Sequence, residues 1–277
     1  MEMKLKKIGL LLILVFIFWS CGGVVSQSIV LYGDSRTQND KHAEIIEAII
    51  KTGPAAVFST GDLVTNGLDY QEWDVFEFLT ADLQKAVKFY PALGNHEENS
   101  RLYFDHFDLP HNERWYSVNI KKIHFVVLDT NGGIPEDSPQ YRWLENDLKR
   151  AAGKGKFKIV VMHHPPFSSG PHRGDEKGLG QTIVPLFETY GVDVVFCGHE
   201  HAYERLRRNN IYYIVTGGGG APLYGKVKDN PHSQLYLKEY HFCCLHAGKE
   251  ALRVEVLDKN LNKIDEFEVT PGPEALE

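Results

Sequence analysis

Short apolar runs that stop at a glycine or a polar turn recur along the chain and alternate with stretches of helical period. IVLY (29–32) ends at Gly33-Asp34, AAVFST (55–60) at Gly61-Asp62 and VKFYPAL (87–93) at Gly94. FKIVVM (157–162) runs into His163-His164, and VDVVFC (192–197) into Gly198-His199. Each run predicts a buried strand leaving through a tight turn. Between them, KHAEIIEAIIKTG (41–53) sets Ile45, Ile46, Ile49 and Ile50 on one face and closes on a glycine, which predicts a helix. SPQYRWLENDLKRAA (138–152), with Pro139 in its first turn, and IVPLFETYG (183–191) predict two more, and SVNIKKIHFVVLDT (117–130) predicts a hairpin. Beyond IYYIVTGGGG (211–220) the pattern becomes antiparallel, in YHFCCLHAG, ALRVEVLD and KIDEFEV. The expectation is an α/β fold: a mixed sheet, or two packed sheets, flanked by helices in one domain over residues 26–270, with 271–277 a loose tail.

Composition narrows the setting. The 277 residues carry a net charge of −7 and no long basic stripe, so a nucleic-acid partner is not indicated. Residues 1–25 stand apart: MEMKLKK is a positive leader segment, and Ile8–Ser20 is an apolar run too short to span a bilayer comfortably. Cys21 follows small Ser20 and resembles a bacterial lipoprotein cleavage site, although Phe18 and Trp19 match it poorly. Plain secretion and an uncleaved anchor are the alternatives. All three place the domain outside the cytoplasm, periplasmic or at the cell surface, with membrane contact only through the N-terminus. Cys197, Cys243 and Cys244 lie in apolar runs and are expected to be buried thiols without a disulfide framework. The oligomeric state is not legible.

Histidine changes the picture, because several of the thirteen fall at strand ends rather than along helix faces. A single such histidine is an ordinary turn residue. Five strand ends together supply Asp34, Asp62, Asn95 with His96, His163 with His164, and His199 with His201. Two carboxylates, an amide oxygen and several imidazoles, with no thiolate, suit Mn²⁺, Fe or Zn²⁺. Such a set can hold two ions when one carboxylate bridges them.

The ordered blocks Gly33-Asp34, Gly61-Asp62, GNHE (94–97), VVMH (160–163) and GHEH (198–201) resemble the calcineurin-like metallophosphoesterases, and GHEHAYER (198–205) is similar to their purple acid phosphatase branch. The resemblance runs from Ile29 to about Val269. It implies a four-layer α/β/β/α sandwich of two mixed sheets, and two divalent metal ions. Asp62 would bridge them; Asn95, His163 and His199 would complete one shell, and Asp34 and His201 would serve the other, first site. The implied reaction is attack of a metal-bound hydroxide on a small phosphate ester, with His96 as general acid and His172 as a second substrate-facing histidine. His164 would either support the ligands from behind or be structural, and Tyr203, Glu204 and Arg205 would brace the GHEH turn. A phosphomonoesterase is expected first; a phosphodiesterase on nucleotides or phospholipid headgroups, and a non-catalytic metal- or phosphate-binding surface lipoprotein, are the alternatives.

The chain also departs from the pattern. Most of the family that the chain resembles has a metal-binding His two residues after the first Asp, and Arg36 stands there; the purple branch uses a Tyr three residues after the bridging Asp, and Thr65 stands there. The first metal site is therefore expected to be weak. Arg36 could bind a substrate phosphate oxygen, discourage that metal, or turn away to a surface carboxylate.

Overall fold

Ile29–Tyr32 are buried at every position and form β1 at the centre of the first of two sheets. The computed structural model describes residues 27–172 and 175–271, so the leader, Cys21 and residues 272–277 lie outside the described residues. After β1 come α1 (Asn39–Thr52), β2 (Ala56–Ser59), α2 (Tyr70–Ala86), β3 (Lys88–Pro91) and α3 (Arg101–His106). Then follow β4 (Tyr116–Ile120), β5 (Ile123–Val127), α4 (Pro139–Ala151), β6 (Phe157–Val161), α5 (Leu179–Thr182), α6 (Val184–Thr189) and β7 (Val194–Cys197). The chain ends in antiparallel pieces: β8 (Tyr203–Arg208), β9 (Ile211–Thr216), β10 (Ser233–Leu237), β11 (His241–Ala247), β12 (Leu252–Asp258) and β13 (Lys263–Val269).

Both sheets are mixed. One has the order β13-β12-β11-β1-β2-β3, the other β10-β8-β9-β7-β6-β5-β4. β1, β2 and β3 run parallel, as do β5, β6, β7 and β9, and antiparallel strands extend each set. Alternation along the second sheet sorts its side chains. Phe125, Val127, Ile159, Val161, Val194 and Phe196 join the core shared with the first sheet, where Phe58 stacks on Phe125 at 4.2 Å. Val126, Val160, Val195 and Cys197 face the other way, onto Leu144 and Leu148 of α4 and Phe187 of α6. With α1 and α2 on the far side of the first sheet, the layers are helix, sheet, sheet, helix.

Several expectations need adjustment. Ile50 is 43% exposed, and His42 with Ala48 completes the buried face of α1 instead. α2 has no counterpart in the sequence reading. Its inward residues Trp73, Phe76, Thr80 and Leu83 share the helix with exposed Val75 and Phe78, which blurs the apolar period. Tyr203 and Arg205 do not brace the GHEH turn: both hydrogen-bond Asp265 of β13, tying one sheet to the other, and only Glu204 reaches a neighbouring loop, at the Ser169 N–H. Cys197, Cys243 and Cys244 are buried free thiols.

Candidate metal centre

Five loops converge at the carboxyl ends of β1, β2, β3, β6 and β7, where ligands collect in open α/β sheets. Asp34, Asp62 and His199 each follow a glycine and each sits at positive φ (57°, 56° and 69°), the kind of backbone strain that marks functional turns. Glycine is also required where loops touch: a Cβ on Gly94 would collide with Asp62 Oδ1, and one on Gly198 with Asp34 Oδ2. The loops are stitched by hydrogen bonds. The His199 N–H donates to both Asp34 carboxylate oxygens at 3.0 Å, and the His96 N–H donates to Asp62 Oδ1 at 3.0 Å. Glu97, fully buried, accepts from the backbone N–H groups of Asp62, Leu63 and Gly94, so it fixes the second and third turns together.

Backbone carbonyls set the histidine tautomers. A carbonyl only accepts, so His163, held by Thr60 O at 2.9 Å, and His201, held by Pro222 O at 2.9 Å, carry their protons on Nδ1. Each therefore turns the Nε2 lone pair inward. His163 Nε2 meets Asn95 Oδ1 at 3.0 Å, His199 Nδ1 at 3.2 Å and Asp62 Oδ1 at 3.4 Å. His199 Nε2 is buried without a hydrogen bond although Glu176 Oε1 is 2.7 Å away. Protonated on Nδ1, His199 satisfies His163 but sets a lone pair against the Glu176 carboxylate. Protonated on Nε2, it faces Glu176 but sets a lone pair against His163. Neither tautomer of the neutral ring satisfies both contacts, whereas a cation among these donors does.

The electrostatics agree. Burial pushes the Asp34 carboxyl well up, with the Asp62 charge adding to it. Burial would also raise Asp62, but the His96 backbone N–H and the Arg36 guanidinium beside it hold that carboxyl below its usual range. Asp34 thus resists ionising beside an ionised Asp62 unless further positive charge is brought in. Burial lowers His163, His164 (to about 2), His199 and His201 (to about 4), leaving neutral imidazoles with lone pairs to give. Two overlapping sets, Asp34–Asp62–His163 and His163–His164–His199, bring their donor atoms within 4.8 Å of one another. His164, expected to support the ligands from behind or to be structural, is thus among the candidate donors, with its Nδ1 at 2.8 Å from Thr130 Oγ1. The donors fit divalent cations in number, hardness and charge.

The other expected residues surround this centre. His96 Nδ1 is held by Thr65 O at 2.7 Å, leaving Nε2 toward the site, 3.9 Å from Asp62 Oδ2. His172 lies with its ring 4.3 Å from that of His199 and is bonded by Glu200 through both its backbone N–H and its ring. The Glu200 hydrogen bond raises His172 above the usual histidine range. Arg36 does not turn away to the surface. Its Nε donates to Asp62 Oδ2 at 3.3 Å and its Nη2 to His201 Nε2 at 3.3 Å. Sequence reasoning gave no role to Glu97, Glu176, Glu200 or Tyr224, whose ring stacks on His201 at 4.1 Å. Glu97 and Glu200 sit inside the GNHE and GHEH blocks and could have been found there; Glu176 and Tyr224 come from irregular loops that offer no local signal.

The comparisons with known proteins point the same way. The chain is 29% identical over 210 residues to a phosphoenolpyruvate phosphatase of Allium cepa, covering 65% of this chain and 42% of that one. It is 33% identical over 171 residues to purple acid phosphatase 15 of Arabidopsis thaliana, covering 53% of this chain and 32% of that protein. The chain thus spans less than half the length of these curated relatives. The structure of a purple acid phosphatase from yellow lupin (Lupinus luteus) seeds superimposes with a TM-score of 0.79 at 20% identity, over 88% of this chain and 53% of that one, which shows a shared fold. The calcineurin-like phosphoesterase family model matches residues 28–203, the segment that carries every block from Gly33-Asp34 to GHEH, and the chain belongs to that family.

Proposed function

We propose that the protein is a metal-dependent phosphomonoesterase acting on small phosphate esters. The observation that carries this reading is the convergence of His163 Nε2, Asn95 Oδ1, His199 Nδ1 and Asp62 Oδ1, with His199 Nε2 left without a hydrogen bond beside Glu176, a donor set that a cation satisfies. Asp62, Asn95, His163 and His199 would hold one divalent ion, with Asp62 shared toward Asp34 and His201 for another. When bound, the ions supply an activated water and neutralise the phosphoryl oxygens.

The chain's own residues then position and protonate. His96 is anchored through Nδ1 to the Thr65 carbonyl, so its Nε2, when protonated, gives a proton to the leaving ester oxygen. His172, whose charged form the Glu200 hydrogen bond favours, and Arg36 would hold the phosphoryl oxygens as charge spreads over them. A cavity of about 300 Å³ opens beside Arg36 and is lined also by Thr37, Leu63, Val64, Thr65 and Glu72. The similarity to relatives named as phosphatases supports the same substrate class.

The test compares turnover of an aryl phosphate monoester with that of the matching diester. A monoester preference is expected, and a diester preference of about tenfold or more overturns the choice of substrate class. His96→Ala is expected to lower kcat by about 10²–10⁴ with metal content intact. Unchanged turnover in that variant removes His96 from the mechanism, and a wild type without turnover on either ester leaves a binding protein.

A further inference from the structure

The two halves of the centre are not equivalent. Around His163 Nε2, three acceptor or ring-nitrogen atoms lie within 3.4 Å, and among the described residues no Lys or Arg side chain bonds to them there. In the other half, the inward atoms of Asp62 and His201 are already taken. Arg36 Nε occupies Asp62 Oδ2 and its Nη2 occupies His201 Nε2, both at 3.3 Å. These are donors on one planar guanidinium, and the His201 tautomer is locked by Pro222 so that Nε2 can only accept. The Arg36 side chain is 14% exposed, and its Nη1 is held by Thr37 Oγ1 at 3.2 Å. Tyr224 covers the same half, stacked on His201, with its backbone N–H on the His201 carbonyl at 2.8 Å.

A guanidinium stays charged at any working pH and offers its N–H groups in a fixed fork. On Asp62 and His201 it supplies the positive charge and directional contacts that a cation would, at the atoms a cation would need. We propose that Arg36 competes with one of the two cations for Asp62 and His201, so that the protein holds one divalent ion tightly in the Asn95–His163–His199 half and admits the other only by displacing the guanidinium. The inference rests on the metal-dependent reading above and deepens it. The neutralising charge on one side of the bound phosphoryl group then comes from an arginine rather than from a second ion.

The test is Mn²⁺ binding by the purified protein, followed by calorimetric titration and by elemental analysis after desalting. Wild type is expected to keep one ion per chain and to bind a second at least about 100-fold more weakly. Arg36→Ala, shown to be folded by near-UV circular dichroism, is expected to close most of that gap, and Arg36→His to keep two ions through desalting. Should the alanine variant fail to fold, Arg36→Lys decides: a single ammonium cannot bridge both acceptors, and the gap is expected to narrow. Two ions of equal affinity in the wild type, or a gap unchanged in a folded Arg36 variant, overturn the inference and leave the phosphatase reading standing. A wild type that binds no Mn²⁺ overturns both.

Discussion

Thr65 decides whether the protein can have the colour its purple relatives are named for. Its hydroxyl cannot serve as the phenolate from which a visible charge-transfer band arises, and its backbone is committed, the N–H to Glu72 and the carbonyl to His96. Among the described residues, the phenol near the centre is that of Tyr224; burial raises it above the usual tyrosine range, and its ring lies stacked on that of His201 at 4.1 Å. The iron-loaded protein is therefore expected to lack a strong visible band, which an absorption spectrum checks directly. A strong band would make Tyr224 or another phenol a ligand and overturn the assignment of donors. At this scale much of the centre was legible, because Asp34, Asp62, Asn95 and His199 each directly follow a glycine at a strand exit, where residue type alone betrays the turn. Glu176 and Tyr224 were not, since the loops that bring them in are marked as loops by Gly, Pro and Asp but carry no period that would place a side chain.

Among elements, the contact between α4 and the β4–β5 hairpin depends on one carboxylate. Asp147 of α4 accepts from Ser117 of β4 at 3.0 Å, lies 2.6 Å from Nε2 of His124 on β5, and receives Arg150 at 3.3 Å. Burial alone would raise its carboxyl, but the bonds from His124, Ser117 and Arg150 prevail and hold it below the usual range. A depressed carboxylate contributes stability that is present above its unfolded pKa, about 3.9, and is lost as pH falls through the lower folded value. Asp147→Asn is thus expected to cost about 1–3 kcal/mol at pH 7 and progressively less below about pH 4, as read by urea denaturation at both pH values. A difference that stays constant across that range would show that packing, not charge, holds the helix there. α4 itself was legible, from Ser138 as its cap and Pro139 in its first turn. α2 was not: its exposed Val75 and Phe78 put apolar residues on both sides, and tertiary packing rather than period selects the buried stripe.

For the whole molecule, the order of strands was the hidden part. β11, from the far end of the sequence, pairs with β1 and so places β1 inside its sheet, a long-range choice that no local pattern encodes. That topology has an energetic consequence. Asp62 and Asn95 leave the first sheet, His163 and His199 leave the second, and an ion bound among them links the two layers. Because the unfolded chain cannot reproduce that arrangement, the ion stabilises only the native state, by about 2.7 kcal/mol when present at 100 times its dissociation constant. For a domain of this size each kcal/mol moves the melting temperature by about 2–4 °C, so chelation is expected to lower it by about 5–10 °C and re-addition of Mn²⁺ or Zn²⁺ to restore it. Calorimetric melts of the metal-loaded and chelated protein check this, with His163→Ala as the comparison: once the ring that meets Asp62, Asn95 and His199 is gone, the response to chelator should largely disappear. If the loaded wild type melts at the same temperature with and without chelator, the two sheets are held by their shared apolar core alone, and the centre carries no structural role.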